Sequence, residues 1–236
     1  WYATIDIANV FFSIHLPAEC RPQFAFTWRG VQYTWNQLPQ GWKHNPTICH
    51  GLIQTALEKG KAPEHLQYID DIIIWGNTAE VCKKAEKIIQ ILLKAGFAIK
   101  QSKVKGPAQE IQFLGVKWQD GRRQILTEVI NKITAMSPPT NKKETQALLG
   151  AVGFWRMHIP EYSMIVSPLY LMTQKRNNFL LGPEQQQPFE QIKQEIAHAI
   201  ALGPVRTGQD VKNVRYALAG GNGPSWSLWQ KGPGET

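Results

Sequence analysis

Leu66-Gln67-Tyr68-Ile69-Asp70-Asp71-Ile72-Ile73-Ile74-Trp75 is the stretch on which the reading turns. Two apolar arms rich in β-formers flank a pair of acids, so the stretch predicts a β-hairpin with Asp70 and Asp71 at its turn. Aspartate has poor strand propensity, and a charge among apolar neighbours is costly unless it is paired or bound to metal. Adjacent carboxylates also repel each other, which a divalent cation offsets. Hard oxygen donors of this kind suit Mg2+ or Mn2+. Two such ions, about 3.5–4 Å apart, serve in-line phosphoryl displacement. An acidic doublet at a hairpin is also an ordinary polar turn, and the doublet alone does not separate the two readings.

Working outward, Tyr2 to Ile7 reads as a strand carrying a third acid, Asp6, near its end. The remaining aspartates, Asp120 and Asp210, lie elsewhere. Residues 24–28 and 31–35 form two β-rich runs joined at Arg29-Gly30. Leu38-Pro39-Gln40-Gly41 reads as a loop, and Asn45-Pro46 opens a helix reaching to about residue 59. Thr78 is expected to cap a helix from Ala79 to Ala95, with Ile88, Leu92 and Ala95 on its apolar face and Gly96 as its stop. Residues 111–118 and 123–125 make another hairpin, turning at Asp120-Gly121. Beyond Leu126 the texture becomes helical, with helices expected over 128–136, 142–158, 162–173 and 184–202, the first two started at Thr127 and Asn141, and broken by Pro138-Pro139, Pro160 and Gly182-Pro183. From Pro204 the chain is Gly-rich with short apolar runs, the expected start of a further domain.

Composition sets the bounds. The 236 residues are 43% hydrophobic and 19% charged, which is globular and not disordered. A net charge of +8 favours a polyanionic partner, nucleic acid being the commonest. No apolar run approaches the roughly 20 residues that cross a bilayer, and no secretory leader opens the chain. Cys20, Cys49 and Cys82 are too few and too scattered for a disulfide framework or a zinc cluster. The histidines are equally dispersed, which argues against a zinc site or a triad.

Tyr68-Ile69-Asp70-Asp71 resembles the Tyr-X-Asp-Asp signature of reverse transcriptases, and Asp6 with Phe11-Phe12 resembles the acid motif that precedes it. Leu38-Pro39-Gln40-Gly41 is similar to the loop before a palm helix, and Phe113-Leu114-Gly115 to the primer-grip hairpin. Residues 149–156 with Ile159-Pro160 resemble the thumb of gammaretrovirus-like enzymes, endogenous copies included. The motifs fall in the family's order over residues 1 to about 202, and their specificity lies in that common order. The tail 223–229 resembles the start of a connection region.

The resemblance implies an α+β fold: a right-hand polymerase palm, an antiparallel sheet with helices, followed by a helical thumb. It assigns residues 1–120 to a palm with partial fingers (an insert over about 16–43), 121–203 to the thumb and 204–236 to an incomplete connection region. It implies an RNA- and DNA-directed DNA polymerase using Mg2+ or Mn2+, with dNTPs and a DNA primer on an RNA or DNA template as partners. By the same resemblance the location is cytoplasmic or virion-associated; the sequence leaves the oligomeric state open, with a monomer slightly favoured. Asp6, Asp70 and Asp71 would be the catalytic metal ligands, completed by the carbonyl of Ile7. Phe11 would be the steric gate against a ribose 2′-hydroxyl, Gln40 would meet the incoming nucleotide, and Lys103 would protonate pyrophosphate. Gly41, Tyr68, Phe113, Leu114 and Gly115 would touch primer and template. Each has a plainer structural reading: Phe11 as a core aromatic, Gln40-Gly41 as a turn, Lys103 as a solvated charge.

Departures from the pattern shape the remaining expectations. The chain opens at Trp1 without the family's first fingers segment, so weak or no activity is expected of it alone. The RNase H domain is not in it, so RNA-strand cleavage is expected to be absent. Ala8, Asn9 and Trp42 replace commoner family residues, and residues 219–222 stand where an acid is frequent; none of these alters the three acids. The competing expectation is a domesticated relic that at most binds nucleic acid.

Overall fold

A computed structural model describes residues 1–204, 212–220 and 223–231. The chain forms two compact units, Trp1–Leu114 and Gly115–Thr236.

The first unit is a four-stranded antiparallel sheet with two helices. Its elements are β1 (Tyr2–Asp6), β2 (Phe26–Trp28), β3 (Val31–Tyr33), α1 (Asn45–Lys59), β4 (Leu66–Tyr68), β5 (Asp71–Trp75), α2 (Thr78–Lys94), β6 (Val104–Ala108) and β7 (Glu110–Phe113). The sheet order is β4-β5-β1-β6, so β1 is central although it comes first in the chain. Ala3, Ile5, Ile7, Ile72 and Ile74 form one core with Cys49, Ile53 and Leu57 of α1 and Val81, Ala85, Ile88 and Leu92 of α2. Full burial of each large aliphatic side chain here stabilises by about 1.5–3 kcal/mol. Side chains alternate along a strand, so Thr4 and Asp6 of β1, and Asp71 and Ile73 of β5, point to the face away from both helices.

Local chemistry explains the element ends. Arg29 and Gly30 both have positive φ, which suits the two-residue turn between β2 and β3. Asn77, not Thr78, caps α2: its side chain accepts from the Glu80 N–H at 2.9 Å, while Glu80 accepts from the Asn77 N–H at 3.3 Å. Ala95 lies outside that helix and is exposed, so the buried face is carried by Val81, Ala85, Ile88 and Leu92. Asn45 does not cap α1; His44 holds that position, and the Asn45 amide donates to the Pro39 carbonyl instead. Gly106 breaks the register between β1 and β6, where a Cβ would meet the Tyr2 carbonyl oxygen at 2.4 Å.

The second unit opens with β8 (Val116–Gln119) and β9 (Arg122–Gln124), turned at Asp120-Gly121, both at positive φ. Then come α3 (Thr127–Thr134), α4 (Lys142–Gly153), α5 (Tyr162–Thr173) and α6 (Pro183–Ala197). Leu148, Leu149, Val152, Val166, Leu169, Phe189, Ile192 and Ile196 build their common core. α4 stops at Gly153, and α6 stops at Ala197, before the expected 158 and 202. The chain after α6 extends because Leu202 exchanges two backbone hydrogen bonds with Arg123, at 2.8 and 2.9 Å. β10 (Lys212–Gly220) pairs with β11 (Gly223–Lys231) over the apolar runs seen in the tail. Asp210, Gly221 and Asn222 lie outside the described residues.

His158 is 6% exposed, beside Trp155, with Nδ1 2.8 Å from the Ile200 carbonyl to which it donates. Burial holds its pKa below the ordinary 6.5, aided by the nearby charge of Arg123 and opposed by the Ile200 hydrogen bond. The folded state therefore prefers the neutral ring. That contribution is full above the ordinary value and is lost as pH falls through the depressed one. The thermal midpoint is expected to drop between about pH 8 and pH 5 more steeply than in His158→Gln. Parallel melting curves of the two proteins across that range would remove His158 as the cause.

Candidate active site

β1 and β5 pair so that Asp6 lies directly opposite Asp71. Partners in an antiparallel pair share a face, so both carboxylates project from the side of the sheet away from the helices. One residue further, the Ile7 N–H donates to the Asp70 carbonyl at 3.1 Å, which carries the ladder into the turn. Tyr68 pairs with Asp71 across β4 and β5, leaving Ile69-Asp70 as the two-residue turn.

Ile69 has φ 55°. A positive φ at the first turn residue is the place for glycine in a type II′ turn. A β-branched residue held there costs on the order of 1–3 kcal/mol. Two side chains hold it. The Ile69 N–H donates to His50 Nδ1 at 3.2 Å, and Gln67 Nε2 donates both to the Ile69 carbonyl at 2.9 Å and to the His50 carbonyl at 3.1 Å. Neither residue was singled out by sequence reasoning; His50 is one of six dispersed histidines, and its partner lies in another element.

The electrostatics are those of crowded acids. Burial pushes the Asp70 carboxyl above its ordinary value, with the negative charge of Asp6 adding to it and Lys103 opposing. Burial likewise raises Asp71, followed by the charges of Asp70 and Asp6. Lys103 Nζ sits 2.5 Å from Asp6 Oδ2, both side chains being well exposed. That hydrogen bond, then the charge of Asp6, raises the lysine's pKa. The donors are all hard carboxylate oxygens, suited to Mg2+ or Mn2+. In this arrangement, with Asp6 committed to Lys103, no three His, Cys, Asp or Glu side chains among the described residues form a metal-holding group.

A cavity of about 320 Å3 is lined by Asp6, Ile7, Phe11, Gln40, Asp70 and Lys103, together with Ala8, Asn9, Val10, Phe12 and Lys100. Six of the residues singled out in the sequence therefore meet in one place, and Lys100 joins them unannounced. Phe11 is half-buried in a single 3-10 turn (Val10–Ser13) that follows Asn9, itself at φ 52°. Gln40 belongs to a loop anchored at both ends: the Leu38 N–H donates to the Ile14 carbonyl at 2.9 Å, and Asn45 binds the Pro39 carbonyl. Gly41 follows at φ 95° with open space around it. Tyr68 is exposed beside the turn, Phe113 is buried, and Leu114-Gly115 form a turn with positive φ at both positions. Gly41, Tyr68, Asp71 and residues 113–115 do not line the cavity.

Residues 1–118 match the family described as Reverse transcriptase (RNA-dependent DNA polymerase), and the chain belongs to that family. Over 217 residues it is 32% identical to the Gag-Pol polyprotein of Gibbon ape leukemia virus, covering 86% of this chain and 13% of the relative. The Pol polyprotein of Feline endogenous virus ECE1 is 31% identical over 214 residues, covering 86% of this chain and 20% of its own length. The structure of the foamy viral protease-reverse transcriptase in complex with dsDNA superposes with a TM-score of 0.81 at 29% identity, over 98% of this chain and 48% of that one. The same foamy viral protein with an RNA/DNA hybrid gives 0.79 at 28% identity, over 99% and 34%. The chain is thus a minor part of the length of the polyproteins it resembles. The α+β architecture is that of a retroviral polymerase domain.

Asn45 is 1% exposed, and its Oδ1 has no partner, so its role is carried by the donor end. Asn45→Ala is expected to destabilise by about 1–2 kcal/mol and to speed amide exchange in the 38–41 loop. Unchanged exchange there would show that α1 packing alone anchors the loop.

Proposed function

We propose that the chain carries the catalytic core of a DNA polymerase that copies RNA or DNA templates by nucleotidyl transfer. The observation that carries this reading is the register of β1 against β5, which sets Asp6 opposite Asp71 and ties Asp70 to Ile7. The foamy viral relatives of similar fold are in complex with dsDNA or an RNA/DNA hybrid, which supports a primer-template partner. Residues 1–120 act as palm with a fingers insert at about 16–43, residues 121–203 as thumb, and 204–236 open a connection region.

In the reaction the primer 3′-oxygen attacks the α-phosphorus of a dNTP and pyrophosphate leaves. Mg2+ or Mn2+, when bound, supplies charge stabilisation for the attacking and leaving oxygens. Asp6, Asp70, Asp71 and the Ile7 carbonyl are the residues that would hold it, after Asp6 exchanges Lys103 for the ion. Lys103, released on the cavity wall, gives a proton to the departing pyrophosphate. Phe11 fills the space beside the sugar, so a 2′-hydroxyl is excluded by contact. Gln40 and Gly41 meet the nascent pair, and exposed Tyr68 meets the primer end. The primer also meets the Leu114-Gly115 turn, which buried Phe113 anchors. The setting by likeness to viral Pol polyproteins is cytoplasmic or virion-associated.

A second reading, a relic that binds nucleic acid without catalysis, is favoured by one observation: the carboxylates do not form a three-ligand group as they stand. Primer extension on poly(rA)·oligo(dT) with Mg2+ or Mn2+ separates the two. The chain is compared with a chimaera preceded by the adjoining polymerase segment of a viral relative. Extension by either, reduced about a thousand-fold or more by Asp70→Asn, supports the polymerase; silence from both selects the relic. In whichever protein extends, Phe11→Val is expected to admit ribonucleotides at least about 10-fold better. Unchanged sugar selectivity would free Phe11 of the gate role.

A further inference from the structure

The turn that carries Asp70 is strained, and its strain is held by side chains that do no chemistry themselves. From this geometry we infer that His50 and Gln67 are positioning residues: they clamp the Ile69-Asp70 turn and so aim the Asp70 carboxylate.

Both backbone polar groups of Ile69 are taken by the clamp, its N–H by His50 and its carbonyl by Gln67. The carbonyl of Asp70 is taken from the other side by the Ile7 N–H. The two peptide planes flanking the Asp70 Cα are therefore both pinned, one by Gln67 and one by β1. Only the side-chain torsions of Asp70 remain free. Without the clamp, a β-branched residue at φ 55° has every reason to relax to negative φ. Relaxation would rotate the 69–70 peptide and carry the carboxylate away from the cavity that it lines with Asp6.

The clamp is itself fixed to the core. His50 follows Cys49, which is fully buried in α1, and the same helix buries Ile53 and Leu57 against the sheet. Accepting at Nδ1 leaves the ring proton on Nε2, so the contact specifies one tautomer. Gln67 spans from the Ile69 carbonyl to the His50 carbonyl, closing a small ring of hydrogen bonds between α1 and the turn. The acids are thereby referenced to a helix as well as to a strand, as the outer contacts of metal ligands commonly are.

The inference rests on the metal-site reading of the acids, and its test keeps the two apart. Mn2+ binding by the full chain is measured by electron paramagnetic resonance, with thermal midpoints recorded alongside. Asp70→Asn tests the site: it is expected to weaken Mn2+ binding at least about 10-fold, and undiminished binding would overturn the metal-site reading. His50→Phe and Gln67→Leu are each expected to weaken binding about 10-fold. His50→Asn places an acceptor oxygen where Nδ1 stood and is expected to stay within about threefold of the parent. Glycine adopts positive φ without support, so Ile69→Gly added to His50→Phe is expected to recover binding to about the same threefold limit. Gln67→Leu changes no residue of α1 and keeps the test open where His50→Phe lowers the thermal midpoint. Parental Mn2+ affinity in both His50→Phe and Gln67→Leu, with Asp70→Asn impaired, overturns the clamp and leaves the site. Equal loss in His50→Asn and His50→Phe assigns the effect to packing and also overturns it.

Discussion

Two carboxylates face each other here, with a third in the adjoining turn, because one strand pairs with another from 65 residues further along, in a register that sets Asp6 opposite Asp71. Like charges opposite each other destabilise an antiparallel pair, so the arrangement opposes the sheet that creates it. What tolerates it is the other face: Ile5, Ile7, Ile72 and Ile74 are essentially inaccessible to water and lock β1 and β5 onto α1 and α2. A slip by one residue would turn Ile5, Ile7, Ile72 and Ile74 away from the helices and the acids toward them, so the hydrophobic pattern itself fixes the position of the charges. Lys103 relieves part of the repulsion by pairing with Asp6.

The same logic runs through the turn. Asp70 sits next to the residue with the most improbable backbone in the hairpin, and the surrounding hydrogen bonds over-determine that conformation. Strain of this kind persists only where neighbouring structure holds it. The loop carrying Gln40 is treated similarly, tied down by Ile14 on one side and Asn45 on the other. Apart from Asp6 at the end of β1, groups that meet in the cavity are thus presented by short segments of otherwise irregular backbone.

The sequence revealed the parts of this that are local. Alternation and β-branched runs marked the strands, Arg29-Gly30 and Asp120-Gly121 announced their turns through glycine, and Asn141 announced α4, whose Glu144 N–H it caps at 2.9 Å. Where two cap residues are adjacent, as at Asn77-Thr78, the sequence did not say which one the helix would take. Asn45 looked like a cap because its side chain suits one, but its amide is engaged by the Pro39 carbonyl. The early end of α6 has no breaker to announce it; a backbone pairing with Arg123 draws the chain away. The Lys103–Asp6 pair spans 97 residues and the His50–Ile69 contact 19, and no local pattern encodes either. Ile69 would never be chosen from propensity for a left-handed position. Family resemblance pointed to the acids, Phe11, Gln40 and Lys103, of which Asp6, Asp70, Phe11, Gln40 and Lys103 line one cavity, and it was silent on His50 and Gln67.

The central claim of the proposed function is that Asp6, Asp70 and Asp71 together hold divalent ions. Crystals of the chain grown with Mn2+, with diffraction recorded on both sides of the manganese absorption edge, test it most directly. The account predicts an anomalous peak within coordinating distance of Asp6 and Asp70, about 2.0–2.4 Å from their oxygens, with Lys103 turned away. A manganese peak elsewhere on the molecule, with Lys103 still bound to Asp6, would contradict it.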